Sequence, residues 1–206
     1  MDIVLATNNL GKIREFRTIF KEQKEVDLLS LRDFSHYTPP SESGKTFEEN
    51  ALLKAVHAAR TLAKWAVADD SGLVVPALNN APGVYSARYS GEGATESKNR
   101  AKLLREMQGL QAEQRYAYFE CCLVLANADG YKKTVRGICE GWISDEERGC
   151  HGFGYDSLFV KHDYDKTFAE LDESIKNRIS HRRKAIDKLL IALEHIMREE
   201  KLSSQI

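Results

Sequence analysis

Asp2-Ile3-Val4-Leu5-Ala6-Thr7-Asn8-Asn9-Leu10-Gly11-Lys12-Ile13, at the start of the chain, is the stretch whose reading decides the fold. An apolar run from Asp2 to Ala6 stops at a polar turn, Thr7 to Lys12, and Ile13, Phe16, Ile19 and Phe20 then recur at helical spacing. A second apolar run, Val26 to Leu31, follows a short charged link. Strand, loop, helix and strand in this order predict a βαβ unit with a parallel pair, and so an α/β protein.

Working outward, residues 32–45 read as a loop, with Pro39-Pro40 and Ser41-Glu42-Ser43-Gly44. Thr46 with Glu49 forms a capping box, which predicts a helix from about Phe47 to Lys64 with the stripe Leu52, Ala55, Val56, Ala59, Leu62 and Ala63. Trp65 to Ala68 reads as a short buried strand ending in Asp69-Asp70-Ser71-Gly72, and Leu73 to Leu78 as another. Asn79-Asn80 and Pro82-Gly83 punctuate a long turn region, and a helix from Thr95 to Met107 ends before Gly109. Arg115 to Ala126 and Tyr131 to Ile143 form a strand pair around the hairpin signal Asn127-Ala128-Asp129-Gly130. A short strand, Leu158 to Val160, precedes a C-terminal helix capped by Ser180, with the stripe Ile186, Leu189, Leu190, Leu193, Ile196 and Met197 and a frayed tail after Lys201. No repeat or linker divides the chain, so residues 1–206 read as a single domain.

With 30 Lys+Arg against 31 Asp+Glu and a net charge of −1, the 206-residue chain has no global field to hold a nucleic-acid polymer or an anionic membrane. Any anionic ligand needs a local site. No apolar run approaches the roughly 20 residues that span a bilayer, and the N-terminus lacks a basic, apolar leader, which predicts a soluble cytoplasmic protein. Cys121, Cys122, Cys139 and Cys150 show no metal-binding spacing and read as core thiols of a reducing compartment.

Three constellations could carry chemistry. The loop Thr7 to Lys12 lies where a strand meets a helix N-terminus, so its backbone N–H groups and Lys12 suit an anion such as a triphosphate; ordinary capping by Asn8 or Asn9 explains it equally. It is no Walker A loop, because Ala6 and Ile13 replace that loop's first Gly and its Ser/Thr. Asp69 and Asp70 place two carboxylates in different directions at a strand exit, and carboxylates beside a phosphate site call for a cation, with Mg²⁺ the natural choice. An Asp-rich turn is the plain alternative. Glu42, Glu48, Glu49 and Asn50 could add ligands or merely form a solvated face. Phe153-Gly154-Tyr155-Asp156 and Ser180-His181-Arg182-Arg183 offer rings and donors for a nucleobase, although Phe153 also suits a core and the arginines a surface. No Gly-x-Ser-x-Gly or His-Glu-x-x-His motif occurs, which disfavours serine or zinc hydrolysis.

In order, Thr7 to Lys12, Thr46 to Ala55, Ala68 to Leu73, Pro82 to Tyr89, Gly152 to Asp156 and Ser180 to Arg182 together resemble the inosine triphosphate pyrophosphatase family, also called dITP/XTP pyrophosphatases. The resemblance spans nearly the whole chain. It implies Mg²⁺-dependent hydrolysis of ITP, dITP and XTP to the nucleoside monophosphate and pyrophosphate, which cleanses the nucleotide pool. It also implies an α/β fold with a long central mixed sheet, two α/β lobes flanking an active-site cleft, and a homodimer. Carried over by motif, Thr7, Asn8, Asn9, Leu10, Gly11, Lys12 and Lys54 bind the triphosphate. Asp70 is catalytic base and Mg²⁺ ligand, and Ser71 touches substrate. Phe153, Gly154, Tyr155, Asp156, Lys176, His181 and Arg182 hold the base.

Two positions depart from the family pattern. Ser41-Glu42-Ser43-Gly44 replaces Glu-Glu-Thr-Gly, which leaves Glu42 as the second candidate metal ligand, and Ser157 replaces a Pro. A donor such as His181 facing the 6-oxo group of hypoxanthine would face another donor in adenine, and each unmet buried group costs roughly 1–3 kcal/mol. Two alternatives stay open: a pyrophosphatase for modified or pyrimidine nucleotides, and a nucleotide sensor that has lost hydrolysis.

Overall fold

The computed structural model describes residues 1–203. Its strands are β1 (Asp2–Leu5), β2 (Asp27–Ser30), β3 (Trp65–Val74), β4 (Tyr116–Asn127), β5 (Gly130–Ile143) and β6 (Phe159–Lys161). Its helices are α1 (Leu10–Phe20), α2 (Phe47–Leu62), α3 (Glu96–Glu106), α4 (Glu173–Ile179) and α5 (His181–Ser203). One six-stranded sheet has the order β2-β1-β3-β4-β5-β6. β1 pairs in parallel with both β2 and β3, whereas β5 and β6 are antiparallel, so the sheet is mixed and the class is α/β.

Contacts group the chain into two compact units. The first is Met1–Asp70, Cys122–Gly137 and Arg182–Ile206; the second is Ser71–Cys121 and Ile138–His181. In the first, the βαβ opening is present as expected, and Ile3, Val4, Phe16 and Val67 are fully buried. The inward face of α2 is Ala51, Ala55, Ala58 and Ala59, while Leu52 and Leu53 are exposed. The expected stripe is therefore rotated: bulky leucines dominate a hydropathy reading, but four alanines at helical spacing form the buried face. The α5 stripe is largely as expected, with Ala185, Ile186, Leu189 and Leu193 buried.

The second unit has its own core, in which the rings of Phe119, Phe159 and Phe168 meet pairwise at centroid distances of 4.7, 5.0 and 6.1 Å. Gly72 lets Ser86 approach it: a Cβ there would lie 2.3 Å from Ser86 Oγ and 2.6 Å from the Gly83 carbonyl oxygen. That hydroxyl accepts from Leu73 N at 3.0 Å and donates to the Gly83 oxygen at 2.6 Å, which fixes the 3₁₀ turn Gly83–Arg88 beside the strand.

Four expectations need correction. Trp65 to Leu78 is not two strands around an acidic turn; β3 runs through Asp69 and Asp70 to Val74, because both carboxylates find buried partners and need no turn. The short helix α4 and the turn Gly83–Arg88 escaped the periodicity, being too short to repeat a pattern. Cys121, Cys122 and Cys139 are buried thiols, but Cys150 is exposed. Helix α5 continues past Lys201 to Ser203, and the rest of the expected tail lies outside the described residues. Among the described residues no helix is long and apolar enough to cross a membrane.

Candidate active site

Successive residues of a strand point to opposite faces, so the middle of β3 sends Asp69 and Asp70 to different partners within the first unit. Asp69 is wholly buried and accepts from Arg182 Nε at 2.7 Å. It also forms an ion pair with Lys12. Arg182, itself only 1% exposed, is paired at the same time with Glu15 of α1. Burial alone would raise the Asp69 pKa, but Arg182 and Lys12 outweigh it and hold the carboxyl well below the usual carboxylate range.

Asp70 has different company. Its Oδ1 accepts from Lys54 Nζ at 2.8 Å and its Oδ2 from Asn50 Nδ2 at 3.3 Å. Burial pushes the Asp70 carboxyl up, against the pull of Lys54 and Lys12. Lys54 Nζ reaches Glu42 Oε1 at 3.0 Å and the Asp69 carbonyl at 2.9 Å. Desolvation disfavours its charge, yet Asp70 and Glu42 raise its pKa and keep it an ammonium.

Helix α2 organises this corner. Asn50, Lys54 and His57, at i, i+4 and i+7, share one face and hold the preceding loop in reverse order. Asn50 Oδ1 accepts from Gly44 N at 2.8 Å, Lys54 bonds Glu42, and His57 Nδ1 lies 3.0 Å from the Tyr37 hydroxyl. Glu42 is thus strapped to the helix on both sides of its own contact. In the loop after β1, Asn9 caps α1, its Oδ1 accepting from Lys12 N at 3.0 Å, and Thr7 Oγ1 accepts from Asn9 N at 3.2 Å. The capping reading of this loop holds, and capping leaves Lys12 aimed at Asp69.

Asp70 and Glu42 are the residues that could hold a metal, through hard carboxylate oxygens, with one cation, the Lys54 ammonium, already shared between them. That chemistry suits a small hard divalent ion such as Mg²⁺. Among the described residues no third His, Cys, Asp or Glu completes the set. Of the seven side chains here, Lys12, Lys54 and Arg182 are cationic, while Glu15, Glu42, Asp69 and Asp70 are acidic, so the cluster is not cationic by itself.

The second unit gathers most of the residues expected to hold a base. Lys176 is buried, pairs with Asp156, and sets its ammonium 4.7 Å from the ring centroid of half-buried Phe153. Asp156 also accepts from Phe153 N at 2.8 Å, closing the glycine-flanked turn. His181 stacks on Phe119 with centroids 4.7 Å apart and planes 13° apart. Tyr155 is a core residue whose hydroxyl donates to the Ser86 carbonyl at 2.9 Å, and the Gly154 carbonyl accepts from Arg100 at 3.0 Å. Ser71 is half-buried on β3.

Arg182 is the main departure: expected among the base-holding residues, its guanidinium is instead taken by Asp69 and Glu15. Glu15 is not among the residues that the sequence motifs single out. The signal was present, because Glu15 falls four residues before Ile19 on the buried stripe of α1, where a lone charge requires a buried partner.

The Ham1 family profile matches residues 3–192 of the chain. A dITP/XTP pyrophosphatase of Protochlamydia amoebophila is 56% identical over 95% of this chain and 99% of its own length. One of Chlamydia abortus is 52% identical over 98% of this chain and 99% of its own. The Ham1 protein of Staphylococcus aureus superposes with a TM-score of 0.84 at 42% identity, covering 95% of this chain and 99% of the other.

Proposed function

The chain belongs to the Ham1 family, and we propose that it hydrolyses dITP, ITP and XTP to the nucleoside monophosphate and pyrophosphate with Mg²⁺ as its metal. The observation that carries the reading is Asp70, a buried carboxylate with a raised pKa beside the Lys54 ammonium, in a chain whose relatives are named dITP/XTP pyrophosphatases. A carboxylate of raised pKa is the better proton acceptor near neutral pH.

In the mechanism, Asp70 takes a proton from water as its oxygen bonds to the α-phosphorus. The bond from that phosphorus to the α–β bridging oxygen breaks, and pyrophosphate leaves with the electron pair. Lys54 and Lys12 stabilise the charge that develops on the phosphate oxygens, and the loop Thr7 to Lys12 orients them. Asp70 and Glu42 would hold Mg²⁺, which when bound neutralises phosphate charge and lowers the pKa of a ligated water. The cluster's acids outnumber its cations, so a triphosphate needs such an ion for electrostatic balance. Asp69, already neutralised by Lys12 and Arg182, is a positioning residue.

At the base end, Phe153 and His181 supply rings, and Lys176 and His181 supply donors suited to the 6-oxo group of hypoxanthine or xanthine. Ser71 contacts the substrate. We further propose that residues 1–206 act as one domain, in a homodimer, on the cytoplasmic nucleotide pool; light scattering coupled to gel filtration reads the dimer directly. The substrate assignment is tested by pyrophosphate release from ITP, dITP, XTP, dUTP, dTTP and ATP, with and without Mg²⁺. The expected ranking places the three deaminated purines first, with no release without metal. A lead for dUTP or dTTP would assign pyrimidine nucleotides instead, and ITP binding with no release would make the chain a sensor.

A further inference from the structure

Lys54 does more in this geometry than wait for a phosphate. Its Nζ lies 2.8 Å from Asp70 Oδ1 and 3.0 Å from Glu42 Oε1, the two oxygens a divalent ion would need, and its side chain is only 12% exposed. The ammonium is therefore the cation that now neutralises the pair. We propose that Lys54 is a resident stand-in for the metal, that the two compete for the Asp70–Glu42 pair, and that the metal is consequently admitted together with a triphosphate and not before it. The inference rests on the reading of the site as a metal-dependent triphosphate hydrolase.

Three observations carry it. An ammonium hydrogen-bonded to both oxygens and a divalent ion ligated by both would share one small, mostly buried space, where like charges repel strongly. The carboxylates keep their places when the ammonium leaves, because each has an independent anchor. Asn50 holds Asp70 Oδ2, and the Gly44–Asn50 and Tyr37–His57 bonds fix the loop on either side of Glu42. Finally, two carboxylates are few for a divalent ion, and among the described residues no further acidic, His or Cys ligand joins them. A triphosphate supplies what is missing on both counts: oxygen ligands for the ion and a new anionic partner for Lys54.

The test is binding of Mn²⁺, a spectroscopic substitute for Mg²⁺, followed at pH 8 by the electron paramagnetic resonance signal of the free ion. Wild type should bind Mn²⁺ weakly alone and much more tightly with the non-hydrolysable α,β-imido analogue of ITP. Lys54→Met should bind Mn²⁺ without nucleotide roughly tenfold tighter than wild type, a change of about 1.4 kcal/mol. Adding Glu42→Gln to that variant should erase the gain. Circular dichroism checks the fold, and Lys54→Gln, which retains a donor for Asp70, serves if the Met variant does not fold. Nucleotide-free Mn²⁺ binding that is already tight in wild type and lost in Glu42→Gln would overturn the proposal. So would a Lys54 variant that binds Mn²⁺ no better than wild type. Failure of the parent reading looks different: ITP would then release no pyrophosphate whatever the Mn²⁺ titrations show.

Discussion

Arg182 donates through Nε to Asp69 at 2.7 Å, and the two side chains, 1% and 0% exposed, tie the first turn of α5 to the middle of β3. Each group is multiply engaged: Asp69 also pairs with Lys12, and Arg182 with Glu15. Breaking one partner of such a buried set leaves its mates charged and uncompensated. Asp69→Asn should therefore lower the unfolding free energy by about 3–5 kcal/mol near neutral pH, measured by urea denaturation. A loss within error of zero would show that solvent already reaches the cluster.

The same carboxyl gives stability a pH dependence. Its folded pKa is depressed below an unfolded value of about 3.9, so its contribution is fully present above that value and is lost as pH falls toward the folded pKa. The stability gap between wild type and Asp69→Asn should thus be constant at neutral pH and narrow below about pH 4. A gap that stays constant into the acid transition contradicts an ionised Asp69.

Gly72→Ala tests the seating of the turn Gly83–Arg88. The added Cβ would meet Ser86 Oγ at 2.3 Å and the Gly83 carbonyl at 2.6 Å, so one of them must shift. Such overpacking costs about 1–3 kcal/mol, and thermal melting should show a matching drop. An unchanged melting temperature would mean that the turn gives way freely.

Asp156 holds both Lys176 and the Phe153 backbone, so on the proposed function it would serve the base through them. Asp156→Asn should raise KM for dITP by roughly tenfold or more with a smaller effect on kcat, because the proposed function assigns the chemistry to Asp70. An equal fall in kcat with KM unchanged would place Asp156 in the reaction itself.

The fold was legible where elements are long and periodic. The βαβ opening and the hairpin after Asn127 stand as read; Thr46 caps α2, but the expected capping box is not closed, because the Glu49 carboxylate accepts from Lys45 N instead of from Thr46 N. The acidic pair is not legible as mid-strand because a carboxylate there violates local preference, and only its distant partners, Arg182, Lys12 and Lys54, explain why β3 continues through it. The same non-local pairing hid the role of Arg182, since nothing beside Ser180-His181 in the sequence reveals that its partners lie on α1 and β3. The motifs bring Lys12, Lys54 and Asp70 to attention and the buried stripe of α1 marks Glu15, whereas the partner of Glu15 and the strap on Asn50, Lys54 and His57 emerge only in the folded chain.

On the proposed function, Asp70 directs water to the α-phosphorus. Hydrolysis of dITP in water labelled with heavy oxygen, with products analysed by mass spectrometry for wild type and Asp70→Asn, tests it most directly. One label is expected in dIMP and none in pyrophosphate, with turnover reduced by about two orders of magnitude or more in the variant. Label in pyrophosphate, release of orthophosphate, or near-normal turnover in Asp70→Asn would contradict it.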